Sequence, residues 1–215
     1  MNARTSQLTG RDRLRGLLQS TRLAGAEMEA ERGRFSRLAG DDAVPRVVSA
    51  FNLFQTPAEL AERACLFLCE GRELGRTLEP SAGLGRLYRA IRVVDQDCPI
   101  TLVDQSAECV RELIREASAD TNCLVVEQDF LSWGAGRQFD SILMNPPFKM
   151  GTDIKHIRHA LGLLAPGGRL VSICAAGPKQ QAQLRPIADK WVDLPSGSFK
   201  ESATSVEAAI VIFNK

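Results

Sequence analysis

The sequence predicts an α/β domain with a Rossmann-like, mainly parallel sheet of seven strands that closes in an antiparallel hairpin. Three observations carry this expectation. From residue 51 onward, short β-branched runs alternate with helical stretches, the pattern of βαβ units. Glycine-bearing turns and acidic residues stand directly after the first strands, where an open sheet of this kind binds its ligands. Two apolar runs then finish the chain with no long helix between them, as a hairpin requires. A chain of 215 residues buries one such core together with a modest appendage, but not two full-sized domains.

Residues 1–50 read as an N-terminal helical arm and linker. Between Ser6 and Leu38 the chain is polar, with a thin stripe of leucines (Leu14, Leu17, Leu18, Leu23), and Gly40 to Pro45 has linker composition. Residues 51–215 form the main domain. A helix is expected after Thr56 and Pro57, because threonine can cap and proline suits a first helical turn. Strand one is Arg76 to Glu79, followed by a helix through Val94. Strand two is Ile100 to Val103, with a helix from Ala107 to about Ala117, and strand three is Cys123 to Val126. Strand four is Phe139 to Met144, and the next helix covers Asp153 to Leu164, stopped by Pro166, Gly167 and Gly168. Strand five is Arg169 to Cys174. A glutamine-rich helix follows Pro178, and strands near Trp191 to Leu194 and Val206 to Phe213 make the hairpin.

Composition is that of an ordinary globular protein, 44% hydrophobic and 25% charged. The net charge of +1 hides an arginine-rich start (Arg4, Arg11, Arg13, Arg15, Arg22, Arg32, Arg34, Arg37), which suits phosphate and equally suits a solvated face. Six scattered cysteines lack the paired spacing of a zinc site or redox motif, so they are expected as reduced core residues. No apolar stretch reaches membrane-spanning length and the start is unlike a secretory signal, so a soluble cytoplasmic protein is expected.

Glu79-Pro80-Ser81-Ala82-Gly83-Leu84-Gly85 follows strand one directly. Its glycines let backbone approach a ligand, and the helix that follows offers free N–H donors. The spacing is not GxGxxG, and the lysine of a phosphate-binding loop is absent. An acidic residue at the strand end suits a cation instead, such as the amino group and sulfonium of a zwitterionic methionine. Asp104, followed by Gln105, ends strand two roughly twenty residues further on, where a carboxylate can accept from ribose hydroxyls. Asp129-Phe130 after strand three offers a carboxylate and a ring to the amine and face of an adenine. One glycine-rich turn by itself is an ordinary tight turn; carboxylates at three successive strand ends make a pattern.

Strand four runs into Asn145-Pro146-Pro147-Phe148. An adenine amino nitrogen is a poor nucleophile because its lone pair is delocalised into the ring. If the Asn145 side-chain oxygen and the Pro146 carbonyl each accept one of its hydrogens, the lone pair is freed for in-line transfer without a strong base. The prolines hold Asn145 extended and remove competing N–H donors. Phe148 offers a stacking face to a base rotated out of its helix. The plainer alternative is that Pro-Pro only ends a strand and Phe148 packs in the core.

Asn-Pro-Pro-Phe after the fourth strand, Glu-Pro-x-x-Gly-x-Gly after the first, and Gln55-Thr56-Pro57 ahead of both resemble the class I S-adenosylmethionine-dependent amino-methyltransferases. The order of the motifs is similar to that of the gamma group of N6-adenine DNA methyltransferases, and the likeness covers about Phe51 to the end. It implies a methyltransferase catalytic domain over residues 51–215, with S-adenosyl-L-methionine as cofactor and no metal. Thr56 and Pro57 would hold the methionine moiety, and Glu79, Pro80, Ser81, Gly83, Gly85, Asp104, Gln105, Asp129 and Phe130 would line the cofactor. Asn145 to Phe148 would be catalytic. Phe199 and Lys200, in the connection before the last strand, would meet the target base and a phosphate; an ordinary turn phenylalanine and a solvated lysine are the plainer alternatives.

The implied partner is nucleic acid, with DNA favoured over RNA, and no membrane. RNA bases and protein glutamine amides share the flat conjugated nitrogen, and a catalytically idle nucleic-acid-binding protein is the reading from another class. Two departures stand out. Strand two ends in Asp104 where the family more often has glutamate, and the large target-recognition domain is absent, so sequence specificity in DNA is either lacking or supplied by a separate partner. His156 and His159, without a nearby ligand set, are expected as surface or groove residues.

Overall fold

The computed structural model describes residues 55–199 and 206–215. The expectations for the N-terminal arm and for Lys200 lie outside these described residues.

Seven strands form one sheet in the order β3-β2-β1-β4-β5-β7-β6. They are β1 (Thr77–Pro80), β2 (Ile100–Asp104), β3 (Cys123–Glu127), β4 (Phe139–Met144), β5 (Leu164–Ala175), β6 (Lys190–Asp193) and β7 (Ala208–Asn214). Among the described residues five α-helices accompany them: α1 (Ala58–Cys69), α2 (Arg86–Val94), α3 (Ala107–Glu116), α4 (Thr152–Leu163) and α5 (Pro178–Gln183). The first five strands pair in parallel. β7 runs antiparallel between β5 and β6. The expected mainly parallel sheet with a closing hairpin is therefore the observed one.

Strand identity follows from composition. All of β1, and β4 from Ser141 to Met144, are buried, as strands covered on both faces must be. The core on one face joins Leu78, Ile142, Met144, Leu170 and Val211 from the strands to Ile154, Ile157, Ala160 and Leu163 of α4. The inward residues of α4 recur every three or four positions, the spacing of one helical face. β2 and β3 lie to one side of β1, and β4 and β5 to the other. The strand order therefore reverses between β1 and β4, and the crevice beyond their carboxyl ends is the place for a ligand.

Two local expectations need correction. The Pro166-Gly167-Gly168 stretch does not separate α4 from β5: the helix ends at Leu163 and the strand starts with Leu164. Leu164 pairs with Phe139 and Arg169 with Ser141, so the breakers form an excursion inside the strand. Gly167, at φ +75°, donates to the Lys215 carbonyl at 2.6 Å, and the Lys215 N–H donates back to Gly168 at 3.0 Å. Antiparallel pairing with the end of β7 thus satisfies backbone groups that a helix stop would have left open. Secondly, Thr56 does not cap α1. Pro57 holds the N-cap position, where its ring offers no side-chain acceptor, and the Thr56 hydroxyl accepts from Asn145 Nδ2 instead.

Candidate active site

A cleft of about 350 Å³ opens at the carboxyl ends of β1 to β4. Ser81, Gly83, Asp104, Gln105, Asp129, Phe130 and Asn145 to Phe148 all lie in its wall, so ten sequence-selected positions from four strand ends meet there. A smaller cavity of about 30 Å³ adjoins it, bounded among others by Thr56, Glu79, Ser81 and Asn145. Pro57, Pro80 and Gly85 stand outside both walls. Pro57 precedes α1, Pro80 is the buried last residue of β1, and Gly85 is the N-cap of α2.

The loop after β1 is held in a tight fold by backbone bonds to the end of β2. The Ala82 N–H donates to the Val103 carbonyl at 3.0 Å. Gly83 N–H donates to Asp104 Oδ2 at 2.8 Å, and Ser106 N–H donates to Asp104 Oδ1 at 2.8 Å. Asp104 thus organises two loops first. Each of its oxygens keeps a second lone pair for a ligand hydroxyl. Gly85 sits at φ +75°, and a Cβ there would stand 3.0 Å from the Leu113 side chain, so this turn needs glycine.

Glu79 is 1% exposed, and its Oε2 has no hydrogen-bond partner. Burial raises its carboxyl well above the ordinary range, and the nearby charge of Asp104 adds to the effect. A buried carboxyl with an open oxygen beside a small cavity is suited to a cation, whose arrival would favour the ionised form.

Asn145 follows β4 directly. Its Nδ2 donates to Thr56 Oγ1 at 2.9 Å, which fixes the plane of the amide. Its Oδ1 is buried and accepts nothing. Most buried polar atoms in folded proteins are paired, so this acceptor calls for an explanation. Phe148 and Phe199 meet edge to face with centroids 5.8 Å apart. Phe199 is 1% exposed, so its ring is packed away instead of lining the cleft.

Asp129 spends one oxygen on the Leu131 N–H, capping the 3-10 turn Phe130–Ser132. The Phe130 ring is buried between two imidazoles, 5.5 Å from His156 and 4.8 Å from His159. Of the two places expected for His156, surface or groove, the structure has the groove: the residue is buried on the inner face of α4 and lines the cleft. Its Nδ1 lies 3.2 Å from Ser81 Oγ. Burial lowers its pKa to about 4, so the ring is neutral at physiological pH. The sequence signal was available: Asp153, His156, Ile157 and Ala160 share one helical stripe. His159 is half-buried and meets the Trp133 carbonyl through Nε2 at 2.7 Å.

The doubly wound sheet with a reversed hairpin and a cleft at the β1/β4 switch point defines a class I methyltransferase fold, and S-adenosylmethionine is the cofactor of that class. Residues 66–190 match the family model described as the methyltransferase small domain, and the chain belongs to that family. It is 33% identical over 75 residues to the release factor glutamine methyltransferase of Salmonella typhimurium, an overlap of 34% of this chain and 27% of that one. Among solved structures it resembles TrmN from Thermus thermophilus, with 21% identity and a TM-score of 0.59 over 74% of this chain and 48% of that one. It also resembles the 23S rRNA methyltransferase ErmE, with 15% identity and a TM-score of 0.56 over 75% and 70% of the two chains. The chain spans about a quarter of the curated relative and about half of TrmN. No described helix is long and apolar enough to cross a membrane.

Proposed function

We propose that the protein is an S-adenosylmethionine-dependent N-methyltransferase acting on a planar, conjugated amino nitrogen, with adenine N6 in nucleic acid as its acceptor. The observation that carries this reading is the buried, unpaired Asn145 Oδ1, with the opposite edge of the amide fixed by Thr56. An acceptor already fixed in orientation on a cleft-lining residue suits an incoming N–H, which has to displace the groups that now cover the oxygen.

The residues present fit the cofactor. The open Glu79 oxygen suits the ammonium of its methionine part, Asp104 the ribose hydroxyls, and Asp129 with Phe130 the adenine. When bound, S-adenosylmethionine supplies an electrophilic methyl group on a sulfonium. The chain's own contribution is to the acceptor. Asn145 Oδ1 and the Pro146 carbonyl would accept hydrogen bonds from the two amino hydrogens, which draws the lone pair out of the ring and points it in one direction; the methylated nitrogen then loses one of those protons to water. Pro147 contributes no competing N–H. Phe148, half-buried at the cleft wall, offers the flat face against which a conjugated ring is oriented. His156, neutral and buried, adds no positive charge beside the cation site.

DNA is the first polymer to test, because the motif order resembles that of adenine-specific DNA enzymes; RNA is the second. Labelled-methyl transfer into DNA, total RNA and cell protein discriminates among the acceptors. Label in a nucleic acid that digests to N6-methyladenine supports the proposal, and label confined to protein overturns it. One observation favours that second reading: the 33% identity to a glutamine methyltransferase, whose named substrate also presents a planar amide nitrogen.

A further inference from the structure

Ser81 and Met150 are the two non-glycine residues with positive φ among the described residues, at 61° and 54°. Such a backbone is strained for an L-residue and persists where its surroundings hold it. Ser81 lies in the loop after β1 and borders both cavities. Its hydroxyl meets His156 Nδ1 at 3.2 Å, so one of these atoms donates and the other accepts. His156 is itself fixed: it is 7% exposed, sits on α4 and packs against Phe130. The segment leading into α4 begins directly after Asn145 to Phe148.

We propose that His156 is a positioning residue that pins Ser81 in its left-handed conformation, and so sets the cofactor loop of β1 in register with the Asn145 loop of β4. The pair is a bolt between the β1 loop and α4, the helix that the Asn145 loop leads into, and no strand pairing joins the two loops at this level, since the β1/β4 ladder pairs only Thr77 with Ser141 and Leu78 with Ile142. Histidine is suited to the task. Its ring is wide enough to reach across from α4, and Nδ1 matches a hydroxyl as either donor or acceptor. Burial keeps it uncharged, so the bolt adds no repulsion to a cleft that receives a cation. Ser81, in turn, adds to a strained turn the side chain that the bolt grips, which glycine would lack.

This inference rests on the assignment of the cleft to S-adenosylmethionine, and the test keeps the two separable. Calorimetry with S-adenosylhomocysteine is run on the wild type, His156→Phe, His156→Asn, Ser81→Gly and the double variant Ser81→Gly/His156→Phe. Hydrogen exchange of residues 80–86 is followed in the same proteins without ligand. Phenylalanine keeps the ring volume and removes the polar atom; asparagine restores a polar atom near the Nδ1 position. His156→Phe is expected to weaken binding about tenfold and to speed exchange of the loop about tenfold, the scale of one lost hydrogen bond. His156→Asn recovers most of both. In the Ser81→Gly background, where the backbone is relaxed and nothing is left to grip, His156→Phe changes binding less than about twofold. Equal losses in both backgrounds, or exchange that His156→Phe leaves unchanged, would overturn the pinning role. A wild type that binds no S-adenosylhomocysteine overturns the cofactor assignment instead, and the exchange result still decides whether Ser81 is pinned.

Discussion

The Asn145 amide nitrogen donates to the Thr56 hydroxyl at 2.9 Å, across 89 residues of sequence, and this leaves the amide oxygen as a buried acceptor without a partner. The segment before α1 therefore orients a residue at the end of β4. It follows that Thr56→Val, which keeps the shape and deletes the hydroxyl, lowers kcat about ten- to a hundredfold, the range for a buried donor left unsatisfied. Thr56→Ser retains most of the activity. Steady-state methyl transfer by the three proteins checks this, and equal kcat in Thr56→Val and wild type would contradict it.

Glu79 gives a prediction of opposite character. Its folded-state pKa is raised above the unfolded value, so its contribution to stability is full below the unfolded pKa and is lost as pH rises toward the folded pKa. Glu79→Gln imitates the protonated form. The variant is expected to match the wild type near pH 4 and to exceed it at pH 8 in chemical denaturation, while calorimetry shows weaker binding of S-adenosylmethionine by about tenfold or more. Unchanged cofactor affinity would remove Glu79 from the cation site.

His156 titrates in the other direction. The folded ring stays neutral down to about 4, whereas the ordinary value is 6.5, so the unfolded chain binds a proton that the folded chain refuses. Stability contributed in this way is present above pH 6.5 and is lost as pH falls from 6.5 to about 4, by roughly 3 kcal/mol at the acid end. Asp129 and His159 act on this ring in opposite senses, the first raising its pKa and the second lowering it. Urea denaturation at pH 7.5, 5.5 and 4.5 should show the stability difference between His156→Phe and wild type shifting toward the variant as pH falls. A difference independent of pH would refute this.

Packing gives a simpler expectation. Ile157 is fully buried in the core beneath the sheet, whereas Ile114 is 54% exposed. Ile157→Ala should cost about 2–5 kcal/mol and Ile114→Ala about 0.5 kcal/mol or less by chemical denaturation. Similar costs at both positions would mean that the face of α4 bearing His156 is not packed as described.

The central strands β1 and β4 were legible in the sequence because burial on both faces writes continuous apolar runs, and the breakers between strands mark the turns that become the cleft. Seven of the ten cleft positions stood out through chemistry at strand ends: Asp104, Asp129, Phe130 and Asn145 to Phe148. What escaped was set by contacts distant in sequence. Thr56 looked like a helix cap because local pattern favours a cap, yet its hydroxyl is committed to Asn145. Pro166-Gly167-Gly168 looked like a helix stop, yet pairing with Lys215 carries it into β5. His156 was expected at the surface or in a groove and given no role, because a lone histidine signals no ligand set, although its helical stripe already placed it inward.

Asn145→Ala bears most directly on the central claim. With S-adenosylmethionine binding confirmed by calorimetry in both proteins, methyl transfer by the variant should fall about a hundred- to a thousandfold while cofactor affinity stays within about threefold. Undiminished transfer by the variant would contradict the role given to the unpaired amide oxygen, and with it the choice of acceptor built upon it.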